Sequence, residues 1–405
     1  MIYLIESHTI KPTNPHYKEL DNICFLSKNL YNAANYIIKQ HYLETKTFLN
    51  KFELINKFTR EYQPDYKSLP AKIAQLTIYQ LYQNWSSFFG LLKAKKDKTY
   101  THKVKTPNYL EKNGRNICTF NNQSYSKKFI KVGLVVLSGL PNFKLKTLIE
   151  NPLENIVEIK IIPRGNHIKV NIAYKIQEKQ VKETSEKIAG LDLGLNNLAT
   201  IGSNCSLPII INGRPLKSIN QFYNKKLAKL KSEKDISKNK KYNTKKIRNL
   251  IFKRNNKVNN YLHKASRLIT NYLVSNSIDT LVIGLNKGWK QGIEIGHRNN
   301  QKFVEIPHSR LIELIKYKCI LEGIKVIIRE ESYTSKCSFI DNEEIKKHKT
   351  YVGQRIKRGL FKCSSGRLIN ADLNGALNIA RKEFPNAFIG YGIEVCSTPK
   401  VINLL

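Results

Sequence analysis

The sequence predicts an α+β chain of several domains, and three observations predict it. A helical period runs from about Tyr17 to Lys96, a period of two from about Asn116 to Lys179, and strands alternate with helices from Lys187 onward. At 405 residues the chain also exceeds one ordinary core, so two or three domains are expected.

The helical segment shows its buried face in its second half. Ile78, Leu81, Tyr82, Trp85, Phe88, Phe89 and Leu92 recur at helical steps, the stripe of a long core-facing helix rather than a base-stacking platform. The segment ends in LLKAKKDKTYTHKVKTPNY, where lysines interleaved with Tyr100 and Tyr109 suit either a nucleic-acid backbone or a solvated linker. In the β-rich segment Val157, Ile159 and Ile161 alternate, as do Ile168, Val170, Ile172 and Tyr174, with a turn at Pro163, Arg164, Gly165 and Asn166. A compact, barrel-like β domain without catalytic residues is expected there.

Beyond Lys187, strands are expected at 188–193, 198–203 and 207–212, and basic helices at about 218–232 and 245–275. A strand at 280–285, a helix at about 308–322, a strand at 325–329 and a last helix from about 373 follow. Ile251, Val258, Leu262, Ala265, Ile269 and Leu273 mark the buried stripe of the second basic helix. This is the order of a ribonuclease H-like fold, whose first, fourth and fifth strands run parallel and adjacent. It brings Asp192, in IAGLDLGLNNLATI on the first strand, to Asp372, in LINADLNGALNIARK at the start of the last helix. A lone aspartate among apolar neighbours needs a partner. Two meeting at one place imply a shared divalent cation held by oxygen ligands, and hence metal-assisted phosphodiester chemistry.

Composition points the same way. Lys and Arg number 69 against 31 Asp and Glu, a net charge of +38, and such an excess fits a nucleic-acid partner best. The sequence has no run of about eighteen apolar residues, and MIYLIESHTIKPT lacks the marks of a signal peptide. Seven scattered cysteines fit a reducing cytoplasm. No serine–histidine context supports nucleophilic hydrolysis.

The strings GLDLGLNNLATI, ESYTSKCSF and NADLNGALNIARK, in that order and spacing, resemble the TnpB family of transposon-encoded, RNA-guided nucleases, relatives of the compact type V CRISPR effectors. INQFYNKKLAKLKS, YLHKASRLI and LPAKIAQLTIYQLYQNW extend the resemblance over almost the whole chain. It implies a wedge domain over residues 1–15 and 98–182, a helical recognition domain over 16–97, and a RuvC-like nuclease over 183–333 and 368–388. A target-nucleic-acid-binding insertion over 334–367 splits the nuclease, and 389–405 form a C-terminal tail. The resemblance further implies a guide RNA from the element's end, double- and single-stranded target DNA, and Mg2+ with Mn2+ as a substitute. A cytoplasmic enzyme, nucleoid-associated when on DNA, is the corresponding location.

The sequence departs from the family pattern twice. The family's insertion carries two Cys-x-x-Cys pairs around zinc, but here Cys337 is followed by Ser338, Phe339 and Ile340, and Cys363 by Ser364, Ser365 and Gly366. Two thiols cannot close such a site. No structural zinc is expected: the insertion reads as packed by Phe339, Tyr351 and Phe361, with His348 the first residue to test as a recruited ligand.

The second departure concerns the third carboxylate, a Glu that a RuvC-like site takes at the end of the fourth strand. In LVIGLNKGWKQ that place is Gly284. Two aspartates alone hold octahedral ions poorly, so either the nuclease is inactive, leaving an RNA-guided repressor, or another acid has moved in. Glu294 and Glu305 lie in the polar loop WKQGIEIGHRNNQKFVEIP, and Glu330 and Glu331 end the fifth strand beside the vacated place. Adjacent strands lie about 4.8 Å apart, within reach of a Glu side chain, and Gly284 leaves room. Some TnpB relatives with a similar EESYTS string use such a relocated glutamate. The expected site is Asp192, Asp372 and Glu331, with Glu330 as the alternative third ligand.

Trp289, Lys290, His297, Arg298, Lys302 and Phe303 suit either a nucleic-acid channel or an ordinary polar loop, and His263 reads as structural. A guide-independent, structure-selective nuclease is the remaining alternative, with less use for the N-terminal domains.

Overall fold

The computed structural model describes residues 1–181, 186–236, 244–286, 305–389 and 398–404. The chain divides into two compact units, Met1–Gln177 and Glu178–Leu405. No described helix is long and apolar enough to cross a membrane.

The first unit opens with strand β1 (Ile2–Ile10) and helices α1 (Tyr17–Thr45), α2 (Lys51–Arg60), α3 (Pro64–Lys67) and α4 (Ala71–Lys96). Strand β2 (Cys118–Phe120), helix α5 (Lys127–Ile130), the strands β3 (Leu134–Leu137) and β4 (Leu140–Lys146), helix α6 (Pro152–Asn155), and the strands β5 (Ile156–Pro163) and β6 (Ile168–Ile176) complete it. The aromatic stripe of α4 is core: Ile78, Leu81 and Trp85 are fully buried. The Trp85 indole N–H donates to Asn35 Oδ1 at 3.1 Å, which satisfies the ring's one polar group. The basic segment after α4 is strapped onto α1, where Asn32 donates to the Leu110 carbonyl and Lys28 to that of Lys112.

The expected barrel does not form among the described residues. The strands make an open antiparallel sheet, β1-β6-β5-β2, beside a separate β3–β4 hairpin. One face shares a core with the helices, while Tyr3 and Ile5 on the other face are 66% and 63% exposed. Closure requires edge strands of matched length and stagger, and here a nine-residue β1 would face a three-residue β2. The helical layer covers the apolar face instead.

The second unit contains the strands β7 (Ile188–Leu193), β8 (Asn197–Ser203) and β9 (Ile209–Asn212), helices α7 (Arg214–Ile236) and α8 (Lys245–Ser275), strand β10 (Thr280–Gly284), helix α9 (His308–Leu321) and strand β11 (Lys325–Arg329). A small antiparallel sheet follows, made of β12 (Gln354–Lys357), β13 (Leu360–Lys362) and β14 (Leu368–Asn370). Helix α10 (Ala371–Glu383), a 3-10 turn at Pro385–Phe388 and strand β15 (Lys400–Ile402) end it.

The large sheet runs β11-β10-β7-β8-β9-β15. Strands β7, β10 and β11 are parallel neighbours, and β8 is antiparallel to β7 and β9. Its sixth strand, β15, comes from the segment read as a tail and pairs parallel to β9; three residues are too few to show a period. On α8 the stripe starts at Ile247, whereas Ile251 is 38% exposed.

Alternation along β7 assigns its two faces. Ala189, Leu191 and Leu193 enter a core with α8 and α9. Ile188, Gly190 and Asp192 turn the other way, toward α10. There the helix backbone comes close enough that a Cβ on Gly190 would lie 1.9 Å from the Ala376 carbonyl oxygen. Gly190→Ala is therefore expected to cost about 3 kcal/mol, the upper end of overpacking, read as a lowered midpoint in denaturant unfolding.

Candidate active site

Three parallel strands end on one edge of the large sheet, and each contributes something there. Asp192 is the fifth residue of β7, Gly284 the last of β10, and Glu331 lies two residues past β11. Asp372 is the second residue of α10, whose N-cap Asn370 accepts from the N–H groups of Asp372 and Leu373 at 3.0 and 3.1 Å. That cap fixes where the helix starts and so where Asp372 sits.

The side chains converge. Glu331 lies over the missing side chain of β10: a Cβ built on Gly284 would be 2.8 Å from Glu331 Oε2. Asp192 Oδ2 faces the backbone of α10, 3.0 Å from where a Cβ on Gly375 would stand. Asn197, at the start of β8, donates to Asp372 Oδ2 at 2.6 Å, and Arg355 of β12 reaches Asp372 Oδ1 at 3.4 Å. Asn286 donates to Glu331 Oε1 at 3.2 Å.

Electrostatics follow from this crowding. Burial, and then the charges of Glu331 and Asp372, push the Asp192 carboxyl well above its usual range, with Arg355 offsetting part of the effect. The residue keeps some solvent exposure, so it is the carboxyl's surroundings that set the direction. Burial and the neighbouring Glu330 also push Glu331 up. A buried Asp192 whose proton affinity is raised by the nearby Glu331 and Asp372 marks a set of hard oxygen donors short of positive charge. A divalent cation such as Mg2+ fits that set.

The two fifth-strand acids part company. Glu330 is exposed, and its carboxyl is held below the usual range by the Ser332 hydroxyl and then by Lys382, whose ammonium lies 3.4 Å away. It turns away from the cluster that Glu331 joins. Glu305 accepts from Asn224 at 2.6 Å, and its carbonyl accepts from Arg254 at 2.9 Å, so it belongs to α7 and α8. Glu294 and the loop residues Trp289, Lys290, His297, Arg298, Lys302 and Phe303 lie outside the described residues. His263 is an exposed residue of α8, and its carbonyl accepts from Lys318.

The insertion carries a second grouping. Ligand atoms of Cys337, Glu343 and His348 lie within 4.8 Å of one another, and Cys363 stands outside this set. Each member already has protein partners. Glu343 accepts from the N–H groups of Ser338 and Val352, Cys337 donates to the Glu344 carbonyl, and His348 Nε2 bonds the same carbonyl. Asp341 accepts from both the N–H and the hydroxyl of Ser364, at 3.0 and 2.5 Å, and so staples the two cysteine turns together. Phe361 is buried with Phe339 packed against its cluster, whereas Tyr351 stacks edge-on against His348.

Sequence reasoning missed Arg355, Asn197, Asn286 and Glu343. Asn197 stands in the same string as Asp192, and Asn286 two residues after Gly284, so proximity to the suspected ligands was the available signal. Arg355 gave none, because the insertion is full of cations.

Comparisons with known proteins bear on this geometry. A family model described as probable transposase matches residues 171–290, and one described as the Cas12f1-like TNB domain matches residues 308–379. The chain is 23% identical over 406 residues to the TnpB-like protein ORF457 of Acidianus two-tailed virus, covering 92% of this chain and 84% of that one. It is 35% identical over 111 residues, 25% of this chain and 19% of the other, to the CRISPR-associated endodeoxyribonuclease Cas12f2 of a Micrarchaeota archaeon. Among solved structures, the mini-RNA-guided endonuclease CRISPR-Cas_phi3 aligns with a TM-score of 0.48 and 12% identity over 98% of this chain and 94% of its own. A Cas12f1–sgRNA–target DNA complex aligns at 0.38 and 14% identity, over 94% of this chain and all of that one.

Two outcomes are expected here. In chelator, Asp192→Asn should melt above wild type at neutral pH. Because the folded-state pKa is raised, ionising Asp192 costs stability as pH climbs from the ordinary 3.8 toward the raised value, so the gap should close on acidification. In the insertion, metal analysis after chelator-free purification should find no stoichiometric zinc, and one zinc per chain would implicate Cys337, Glu343 and His348.

Proposed function

Because the chain belongs to the TnpB family, related to the type V CRISPR effectors, we propose that it is an RNA-guided DNA endonuclease of a transposable element. It cleaves target DNA beside a short flanking motif by metal-assisted phosphodiester hydrolysis. The observation that carries this reading is the meeting of Asp192, Glu331 and Asp372 over the ends of parallel strands. The strand order, with β7, β10 and β11 parallel and adjacent, supports a ribonuclease H-like, RuvC-type nuclease. Residues 183–333 and 368–388, joined by the edge strand β15, form that nuclease, with 334–367 as its target-binding insertion. Residues 16–97 serve recognition, and 1–15 with 98–182 serve as the wedge.

Asp192, Glu331 and Asp372 would hold Mg2+, whose chemistry when bound would be activation of water and stabilisation of the leaving 3′ oxygen. The chain's own groups do the rest. Asn197 and Asn286 orient the carboxylates of Asp372 and Glu331. Arg355, now paired with Asp372, exchanges that partner for a phosphodiester oxygen when DNA enters. The net charge of +38 supplies the affinity for guide RNA and target DNA, and base pairing supplies the sequence. The insertion holds its turns with Glu343 and Asp341 rather than with zinc.

A nuclease-inactive repressor of the same ancestry is disfavoured by the carboxylates themselves. A buried Asp192 pushed up by Glu331 and Asp372 is a cost in a protein that never binds a cation there.

The test is guided cleavage. RNA that copurifies with the protein is sequenced, and a plasmid carrying the matching target is offered with Mg2+. Asp192→Ala, Asp372→Ala and Glu331→Gln should each cut at least about a thousandfold more slowly, at least 4 kcal/mol of barrier, while still binding the target. Glu330→Gln and Glu305→Gln should cut near the wild-type rate. Gly284→Glu should not help, because its side chain enters the space of Glu331 Oε2. Guided binding without cutting in Mg2+ or Mn2+ would establish the repressor, and only heterogeneous RNA would favour a guide-independent nuclease.

A further inference from the structure

The third carboxylate reaches the cluster from a loop, not from the strand that faces it. A loop residue has more freedom than a strand residue, so something must hold Glu331 in place. The backbone ladder between β10 and β11 runs one bond past Gly284, where the Leu285 N–H donates to the Arg329 carbonyl at 2.9 Å. The next residue, Asn286, continues the pairing with its side chain. Its Oδ1 accepts from the Glu331 N–H at 3.1 Å, and its Nδ2 donates to Glu331 Oε1 at 3.2 Å. One amide thus grips the main chain and the carboxylate of the same residue. A donor and an acceptor side by side are what Asn offers and what neither Asp nor Leu can.

From the opposite side, Lys382 of α10 fixes the chain on either flank of Glu331. Its ammonium donates to the Glu330 carbonyl at 3.0 Å and to the Ser332 carbonyl and hydroxyl at 3.3 and 3.1 Å. The grip on Oε1 leaves Oε2 as the oxygen that lies over Gly284.

We infer that Asn286 is a positioning residue that makes the relocated Glu331 a working metal ligand, with Lys382 bracing the same loop. This rests on the reading of Asp192, Glu331 and Asp372 as the cation site. An acid moved to a new strand needs a new holder, and Asn286 is the residue beside the vacated position that supplies one.

Mn2+ is the probe. Full-length protein with its copurified RNA is titrated with Mn2+, read by the electron paramagnetic resonance of the free ion, and cleavage is followed across Mg2+ concentration. Asn286→Ala should weaken Mn2+ binding about tenfold to a hundredfold, the usual cost of losing a group that orients a ligand. The Mg2+ needed for half-maximal cutting should rise in step. Glu331→Gln should bind Mn2+ weakly too, without rescue by Mg2+. Asn286→Asp keeps the shape but sets an oxygen against Oε1, so it should weaken binding as well and guards against a misfolded alanine variant. Wild-type Mn2+ affinity and unchanged Mg2+ dependence in either folded variant overturn the inference. So does a slower rate at every Mg2+ concentration with Mn2+ affinity unchanged. Wild-type Mn2+ binding that survives Asp192→Ala overturns the cation-site reading itself, and the two failures are told apart by that control.

Discussion

Helix α10 lies so close to β7 that a methyl group at Gly190 has no room, and the carboxylate cluster exists because of that contact. Asp192 shares the Gly190 face of β7, and Asp372 sits in the first turn of the helix pressed against it. Push the helix outward by the size of a methyl group and the two acids separate. The same helix carries, on its buried side, Asn374, Asn378 and Arg381, which bind the 334–343 loop of the insertion. One element therefore sets both the cluster and the seat of the insertion.

That arrangement explains how charge is balanced around the site. Burial raises the proton affinity of Asp192 and Glu331, and the described protein offers the cluster Arg355, from the insertion's β12, at 3.4 Å from Asp372. Asn197 and Asn286 contribute neutral hydrogen bonds that orient without neutralising. The remaining deficit of positive charge is one that a bound cation would answer.

Much of this was legible in the sequence, and the reasons are physical. Long periodic segments declare themselves: the stripe of α4 and the alternation of β5, β6 and β7 each repeat several times. Asp192 and Asp372 stood out because an acid in an apolar string needs a partner. Gly284 was informative as an absence, and its emptiness pointed to the neighbouring strand, where the geometry separates Glu331 from Glu330 in a way that adjacency in sequence cannot. Sheet closure was not legible, since it depends on pairing between β1 and β2, more than a hundred residues apart. Nor was β15, too short for a period, or Arg355, one cation among many. The polar staple of the insertion was hidden as well, because Glu343 and Asp341 look like ordinary surface acids until their N–H partners are seen.

The most direct measurement is where a cation sits. Crystals of the guide-bound protein soaked in Mn2+ give anomalous density that locates the ion without reference to activity. Density is expected in contact with Asp192, Asp372 and Glu331 together, with Asn286 still hydrogen-bonded to Glu331. Density held by Asp192 and Asp372 with Glu331 turned away, or with Glu330 in its place, would contradict it.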